Sequence, residues 1–155
     1  MSKATNAQTR VCGGCTACCK TPDIDTPDFK KPLGIWCEHC NIGRGCKIYE
    51  NRPLPCRTFV CQWLLGTGSE AERPDRAGFM LDFVSKGGIA EVNTAQIFEV
   101  KVGRLDHPKV REWTRRSLAS DMIVIHRYLS SRSVVFVPKT LEGEVDTEGF
   151  EIGSL

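Results

Sequence analysis

Cys12-Gly13-Gly14-Cys15-Thr16-Ala17-Cys18-Cys19 puts four thiols into eight residues. The other five, Cys37, Cys40, Cys46, Cys56 and Cys61, follow in a segment rich in Gly, Pro and Arg, and no cysteine occurs after residue 61 of 155. A Cys-x-x-Cys turn lets two thiolates converge on one ion at about 2.3 Å, and four such ligands close a tetrahedral zinc site. Three cysteines at successive three-residue steps also match the start of the bacterial ferredoxin run, although here the next thiol is adjacent and not in x3-Cys-Pro. Adjacent side chains on an extended backbone point apart, so Cys18 and Cys19 are expected to serve different metals, or different irons of one cluster. A helical segment would put Cys12, Cys15 and Cys19 on one face with Cys18 at its edge, but Gly13 and Gly14 argue against a regular helix.

Composition narrows the compartment and the partners. With 26% charged and 41% hydrophobic residues and a net charge of +2, nothing points to disorder or to a general attraction for nucleic acid. The first ten residues contain no apolar stretch of the kind that opens a secretion signal, and no window reaches the ~18 apolar residues of a membrane span. The chain therefore reads as soluble and cytoplasmic, with no membrane partner. Disulfides do not persist in a reducing cytosol, so cysteines at this density there point to metal binding or redox chemistry.

Outward from the cysteines, residues 1–10 read as a polar arm, and the prolines at 22, 27 and 32 mark residues 20–35 as a connection. Residues 47–51 read as one helical turn that Pro53 and Pro55 stop, delivering Cys56. Beyond Gly66-Thr67-Gly68 the pattern becomes an ordinary α+β one. Strands are expected at 78–84 and 89–92, joined by a hairpin at Lys86-Gly87-Gly88, with a third at 95–102. A helix is expected from Asp106 and Pro108, carrying Leu118, Met122, Ile125 and Leu129 at spacings of 4, 3 and 4, with a break near Ser120. A closing strand at 133–137 precedes a loose acidic tail. The expected fold is α+β in a single domain: a cysteine-rich metal-stapled lobe over about residues 11–65, packed on a small antiparallel sheet with one or two helices over about 75–138, and a tail over about 140–155.

The run Cys12-x2-Cys15-x2-Cys18-Cys19, then Cys37, then Gly45-Cys46-Lys47-Ile48-Tyr49-Glu50-Asn51-Arg52-Pro53-x2-Cys56-Arg57-x-Phe59-x-Cys61 resembles the CxxCxxCC cysteine-cluster family, described as zinc- or iron-chelating proteins and often labelled iron-sulfur oxidoreductases. The resemblance covers roughly the first 60 residues. It implies metal binding at Cys12, Cys15, Cys18, Cys19, Cys37, Cys46, Cys56 and Cys61, enough for two four-thiolate sites, and it brings no established reaction. Cys40 departs from the pattern, yet Cys37-x-x-Cys40 is itself a half-site, with Cys46 or His39 as a competing ligand. The metal stays open between zinc and iron, because thiolates suit zinc, copper(I) and iron-sulfur clusters alike. So does the role: a structural zinc, an iron-sulfur cluster for electron transfer, metal storage or delivery, or a redox switch. A protein or redox partner is compatible with each.

The remaining residues carry less. Arg52 and Arg57 either stabilise a tetrathiolate or fix the turn by bonding backbone carbonyls, the second being favoured. Tyr49 and Trp63 read as core anchors. His107 and His126 read as surface or core residues, and no catalytic triad can be ordered from them. Gly66-Thr67-Gly68-Ser69 lacks the Lys and further Gly of a phosphate loop. The basic residues between 104 and 132 read as a solvated face that the acidic tail pairs with, and Trp113 among them as core.

Overall fold

The structure, a computed structural model, describes residues 10–85 and 91–155. The expected polar arm, apart from Arg10, lies outside the described residues, as do the Lys86-Gly87-Gly88 turn and Ile89-Ala90.

Up to residue 77 the regular elements are short. β1 (Ile24–Asp25) and β2 (Lys30–Lys31) form one antiparallel hairpin and β3 (Cys40–Asn41) and β4 (Gly45–Cys46) another. Helices α1 (Leu54–Thr58) and α2 (Pro74–Ala77) follow, with single 3-10 turns at Ala17–Cys19, Tyr49–Asn51 and Glu70–Glu72. The turn at Tyr49–Asn51 ends before Pro53 as expected. Pro53 and Pro55 then do more than stop it: Pro53 caps α1 and Pro55 sits in its first turn, where a missing N–H leaves no bond unmade.

The main sheet has five strands among the described residues, in the order β5 (Phe79–Val84), β6 (Thr94–Glu99), β7 (Ile123–Arg127), β8 (Ser133–Phe136), β9 (Glu151–Ile152). β5 runs antiparallel to β6 with Phe79 opposite Glu99 and Val84 opposite Thr94. Of the strand predicted at 89–92, only Glu91 and Val92 are among the described residues, and they form a bend. The antiparallel expectation is also corrected. β6 pairs parallel with β7 and β8 parallel with β9, so the sheet is mixed. A parallel neighbour requires a crossover of a dozen or more residues, and residues 100–122 provide it through α3 (Pro108–Ala119).

That helix is shorter than its periodicity suggests. It begins at the His107 cap, whose Nδ1 accepts from Lys109 N at 3.1 Å, while Asp106 belongs to the preceding 3-10 turn. It ends at Ala119, and Asp121 takes φ 55°. Ile123-Val124-Ile125 then enters the sheet instead of continuing the helix, because β-branched side chains favour a pleated surface buried on both sides. Val110, Trp113, Thr114 and Ser117 are the buried face of α3.

Alternation along the strands sorts the core into two faces. Phe79, Leu81, Ala95, Ile97, Val124 and Phe136 face α3, with Val110 and Trp113 against them. On the other face Met80 and Phe98 pack with Ala17, Leu33 and Val100, and Cys15, Phe59 and Cys61 adjoin them. The cysteine segments therefore cover the part of the second face around Met80 and Phe98.

The acidic tail is less loose than expected. β9 is held by Arg132, whose Nε donates to Glu151 Oε2 at 2.7 Å, and by Gly153 N to Val135 O at 2.8 Å. Leu141 and Val145 pack near Ile123, Ile125 and Val135. A Cβ on Gly153 would overlap the Phe136 ring. Gly153→Ala should therefore lower stability by about 1–3 kcal/mol in urea unfolding, because the ring is packed in the core and must move.

His126 is 4% exposed, between the Phe136 ring and Thr114. The Thr114 hydroxyl donates to Val110 O at 2.8 Å, so its oxygen accepts from His126 Nε2–H, also at 2.8 Å. Burial lowers the His126 pKa to about 4, with Asp106 acting in the opposite sense. The unfolded state then takes up a proton near pH 6.5 that the folded state refuses until about 4. Stability from this group is full above about pH 6.5 and falls as pH drops toward 4, at up to about 1.4 kcal/mol per pH unit. Urea midpoints measured across that window should show this slope in wild type and lose it in His126→Gln.

Candidate metal centre

Two backbone contacts draw the cysteine segments together. Cys15 N donates to Cys12 O at 2.8 Å, closing a turn in which Gly13 takes φ 53°. A Cβ on Gly14 would stand 2.8 Å from the Gly43 carbonyl oxygen, so glycine is what lets this turn lie against the loop joining β3 and β4. Thr16 Oγ1 accepts from Gly43 N at 3.1 Å on the same contact. The second contact is Cys37 N to Cys19 O at 2.9 Å. Cys40 N then donates to Cys37 O at 2.9 Å, and Cys40 stands opposite Cys46 across the hairpin. α1 brings in Cys56.

The thiols fall into two neighbourhoods. In the larger, burial pushes the Cys56 thiol up, and Cys37, Cys19 and Cys46 add to it. Burial likewise raises Cys40 to about 11, with Cys19 the next cause. Cys19 is raised first by the Cys18 thiol beside it and then by burial. Cys19, Cys37, Cys40, Cys46 and Cys56 thus share one electrostatic environment. In the smaller, burial raises Cys61 and charges at Cys12 and Cys15 reinforce it. Cys15 is raised by burial, with Asp75 and Arg73 in reach. The Arg73 guanidinium grips Asp75 through two bonds of 2.7 Å and holds its carboxyl below the usual range. Among the described residues, no three Cys, His, Asp or Glu side chains converge on a single point as a metal ion requires. The grouping is one of neighbourhood.

Cys18 and Cys19 share a 3-10 turn instead of an extended stretch, so the reason for turning them apart does not hold, and their thiols lie side by side. Cys12 and Cys18 are exposed and the other seven are half-buried. Cys40, which stood outside the eight expected ligands, lies among Cys19, Cys37 and Cys46. The His39 ring stacks on Phe29 at 6.1 Å.

Three features escaped sequence reasoning. Arg10 donates to the carbonyls of Trp63, Thr67 and Gly68 at 2.9, 3.0 and 2.7 Å and pairs with Glu70, which fixes the approach of Cys12 to the Cys61 segment. Lys31 is 5% exposed and bonds three carbonyls. Arg73 and Asp75 flank Cys15 from sixty residues downstream. No local pattern marks any of these: Arg10, Arg73 and Asp75 act on segments distant in sequence, and Lys31 is buried only because the fold closes over it.

Arg52 fixes its own turn, its Nε donating to Tyr49 O at 2.8 Å and its guanidinium lying 3.7 Å from the Tyr49 ring centroid. Tyr49 itself is exposed, not a core anchor, whereas Trp63 is buried with Nε1 on Ser69 O at 3.0 Å. Trp113 is core, bonded to Glu72 at 2.7 Å. Several cations between 104 and 132 are engaged: Lys109 with Glu112, Arg127 with Asp23, and Arg132 with Glu151 of the tail. No helix among the described residues is long and apolar enough to cross a membrane. No protein-family model, curated protein or solved structure matches this chain.

Proposed function

We propose that this chain binds zinc or iron through its cysteine thiolates, in a metal-stapled lobe, as the resemblance to the CxxCxxCC cysteine-cluster family implies. The observation that carries the reading is the shared neighbourhood of Cys19, Cys37, Cys40, Cys46 and Cys56, drawn from four separate segments of the chain. Cysteine has one side-chain torsion with staggered wells of similar energy, so backbone proximity decides which sulfurs an ion can gather. The donor set fits a soft or borderline metal, with Cys12, Cys15 and Cys61 available to a second site and Cys18 beside Cys19. A bound zinc or iron supplies cross-links between segments that otherwise have little apolar core of their own. This chemistry requires reduced thiols, which suits a reducing compartment such as the cytoplasm.

The alternative is an iron-sulfur electron carrier or oxidoreductase. Iron-sulfur clusters are held by four cysteine thiolates just as a structural zinc is, so the larger group supplies enough ligands for either. Exposed Val11, Ile35, Ile42, Leu54 and Leu65 on the same lobe support a protein or redox partner.

Zinc, iron and acid-labile sulfide per chain, measured with the visible spectrum after purification without oxygen, decide between the two. Zinc without sulfide in colourless protein supports the chelating module. Iron with matching sulfide, and a brown colour bleached by dithionite, supports the electron carrier. Protein that carries no metal, takes none up, and keeps its circular dichroism and melting unchanged under chelation ends both.

Two outcomes are expected of metal loading. Cys40, Cys56, Cys15 and Cys61 have raised pKa values and are protonated at neutral pH without metal, so zinc entry releases protons and affinity rises with pH between 6 and 8. Calorimetry in buffers of different ionisation enthalpy measures that release. Cys40→Ser should weaken zinc binding by at least the ~10–100-fold that loss of an outer-shell partner costs, read by competition with a chromophoric chelator.

A further inference from the structure

Lys31 lies in β2 opposite Ile24 and is 5% exposed. Its Nζ donates to the carbonyls of Lys20 at 3.0 Å, Pro32 at 3.2 Å and Ile35 at 3.3 Å, which uses all three ammonium hydrogens. Each acceptor is neutral, and among the described residues no carboxylate forms an ion pair with it. A buried charge without an anion in contact is unfavourable, and three carbonyls offset only part of that. Such a residue calls for an anionic neighbour.

The carbonyls it grips belong to the cysteine segments. Lys20 follows Cys19, Ile35 precedes Cys37 by two residues, and Cys37 N is bonded to Cys19 O. The ionisable groups in electrostatic reach are Cys37, Asp23, Cys19 and Cys56, in that order of influence. Asp23 is committed to Arg127 at 2.9 Å. Three of the four groups facing Lys31 are therefore thiols of the larger group.

The geometry points to Lys31 as the resident counter-charge of the thiolates around Cys19 and Cys37, a positioning residue that ties those two segments together and offsets the negative charge they acquire on binding a metal. The inference rests on the metal-binding reading and adds to it. Four thiolates around a divalent ion carry a net double negative charge, and a buried ammonium beside them halves it. A methionine at this position keeps the volume of the side chain and loses the charge, whereas an arginine keeps the charge.

The deciding experiment follows the titration of Lys31 through its 13Cε resonance in wild-type protein, first metal-free and then loaded with zinc alone. A counter-charge must titrate at higher pH when loaded, because the thiolates then favour the charged amine. Lys31→Met should in addition bind zinc about tenfold or more weakly at pH 7, as loss of an attractive charge in a partly buried site requires, and Lys31→Arg should retain most of the affinity. A merely structural lysine would weaken zinc binding when replaced but would titrate alike in both states, and that result overturns the inference even where Lys31→Met fails to fold. Protein that takes up neither zinc nor iron ends the metal reading and removes the anion that the ammonium answers to. Protein that takes up zinc with an unmoved Lys31 titration ends the counter-charge alone.

Discussion

All six residues of β6 are buried, and a strand can be buried on both faces only if something covers each. α3 covers one. The other is covered by chain with very little regular structure, seated by Met80 and Phe98 against Ala17, Leu33 and Val100. Burial of side chains of that size contributes about 1.5–3 kcal/mol each, which is enough to hold short hairpins and turns that have no stability as isolated pieces. Cys15 and Cys61 are part of that contact, so the same packing that completes the sheet also brings two thiols from opposite ends of the cysteine region together.

Polar ties reinforce the seat. Arg127 reaches from β7 to Asp23 at 2.9 Å and to Gln96 at 3.3 Å, and Lys20 Nζ bonds Val100 O at 3.2 Å. Arg10 threads the start of the described chain through three carbonyls of the loop after Cys61. Against this background the thiols carry opposed electrostatics. Burial and mutual repulsion disfavour their anionic forms, while Lys31 and Arg73 favour them.

Much of the architecture could be read from residues alone where the signal was local. β5, β6 and β8 follow from apolar runs close to their observed bounds, Pro108 opens α3, and Pro53 ends the Tyr49–Asn51 turn. The readings that failed were those in which two patterns competed. Leu118, Met122, Ile125 and Leu129 satisfy a helical period, but Ile123-Val124-Ile125 is also a β-branched run, and a vacancy for a strand beside β6 decided in favour of the sheet. Glu151-Ile152 reads as tail because its partner, β8, lies some fifteen residues back and only packing reveals it. In the candidate site, eight thiols were expected as ligands from the resemblance, and Cys40, a half-site with Cys37 by spacing, stood outside them until the fold placed it opposite Cys46.

By itself the sequence determined that nine thiols crowd into fifty residues with Gly13, Gly14 and Gly43 beside them, and that an α+β region follows. These are matters of residue type and local spacing, which survive without knowledge of the fold. Only the tertiary structure decided that the sheet is mixed, that the thiols divide into two neighbourhoods, and that Lys31, Arg10, Arg73 and Asp75 stand beside them. Each of those depends on contacts between segments far apart in the chain, and such contacts are set by which surfaces must be buried together, a quantity that no single window of sequence contains.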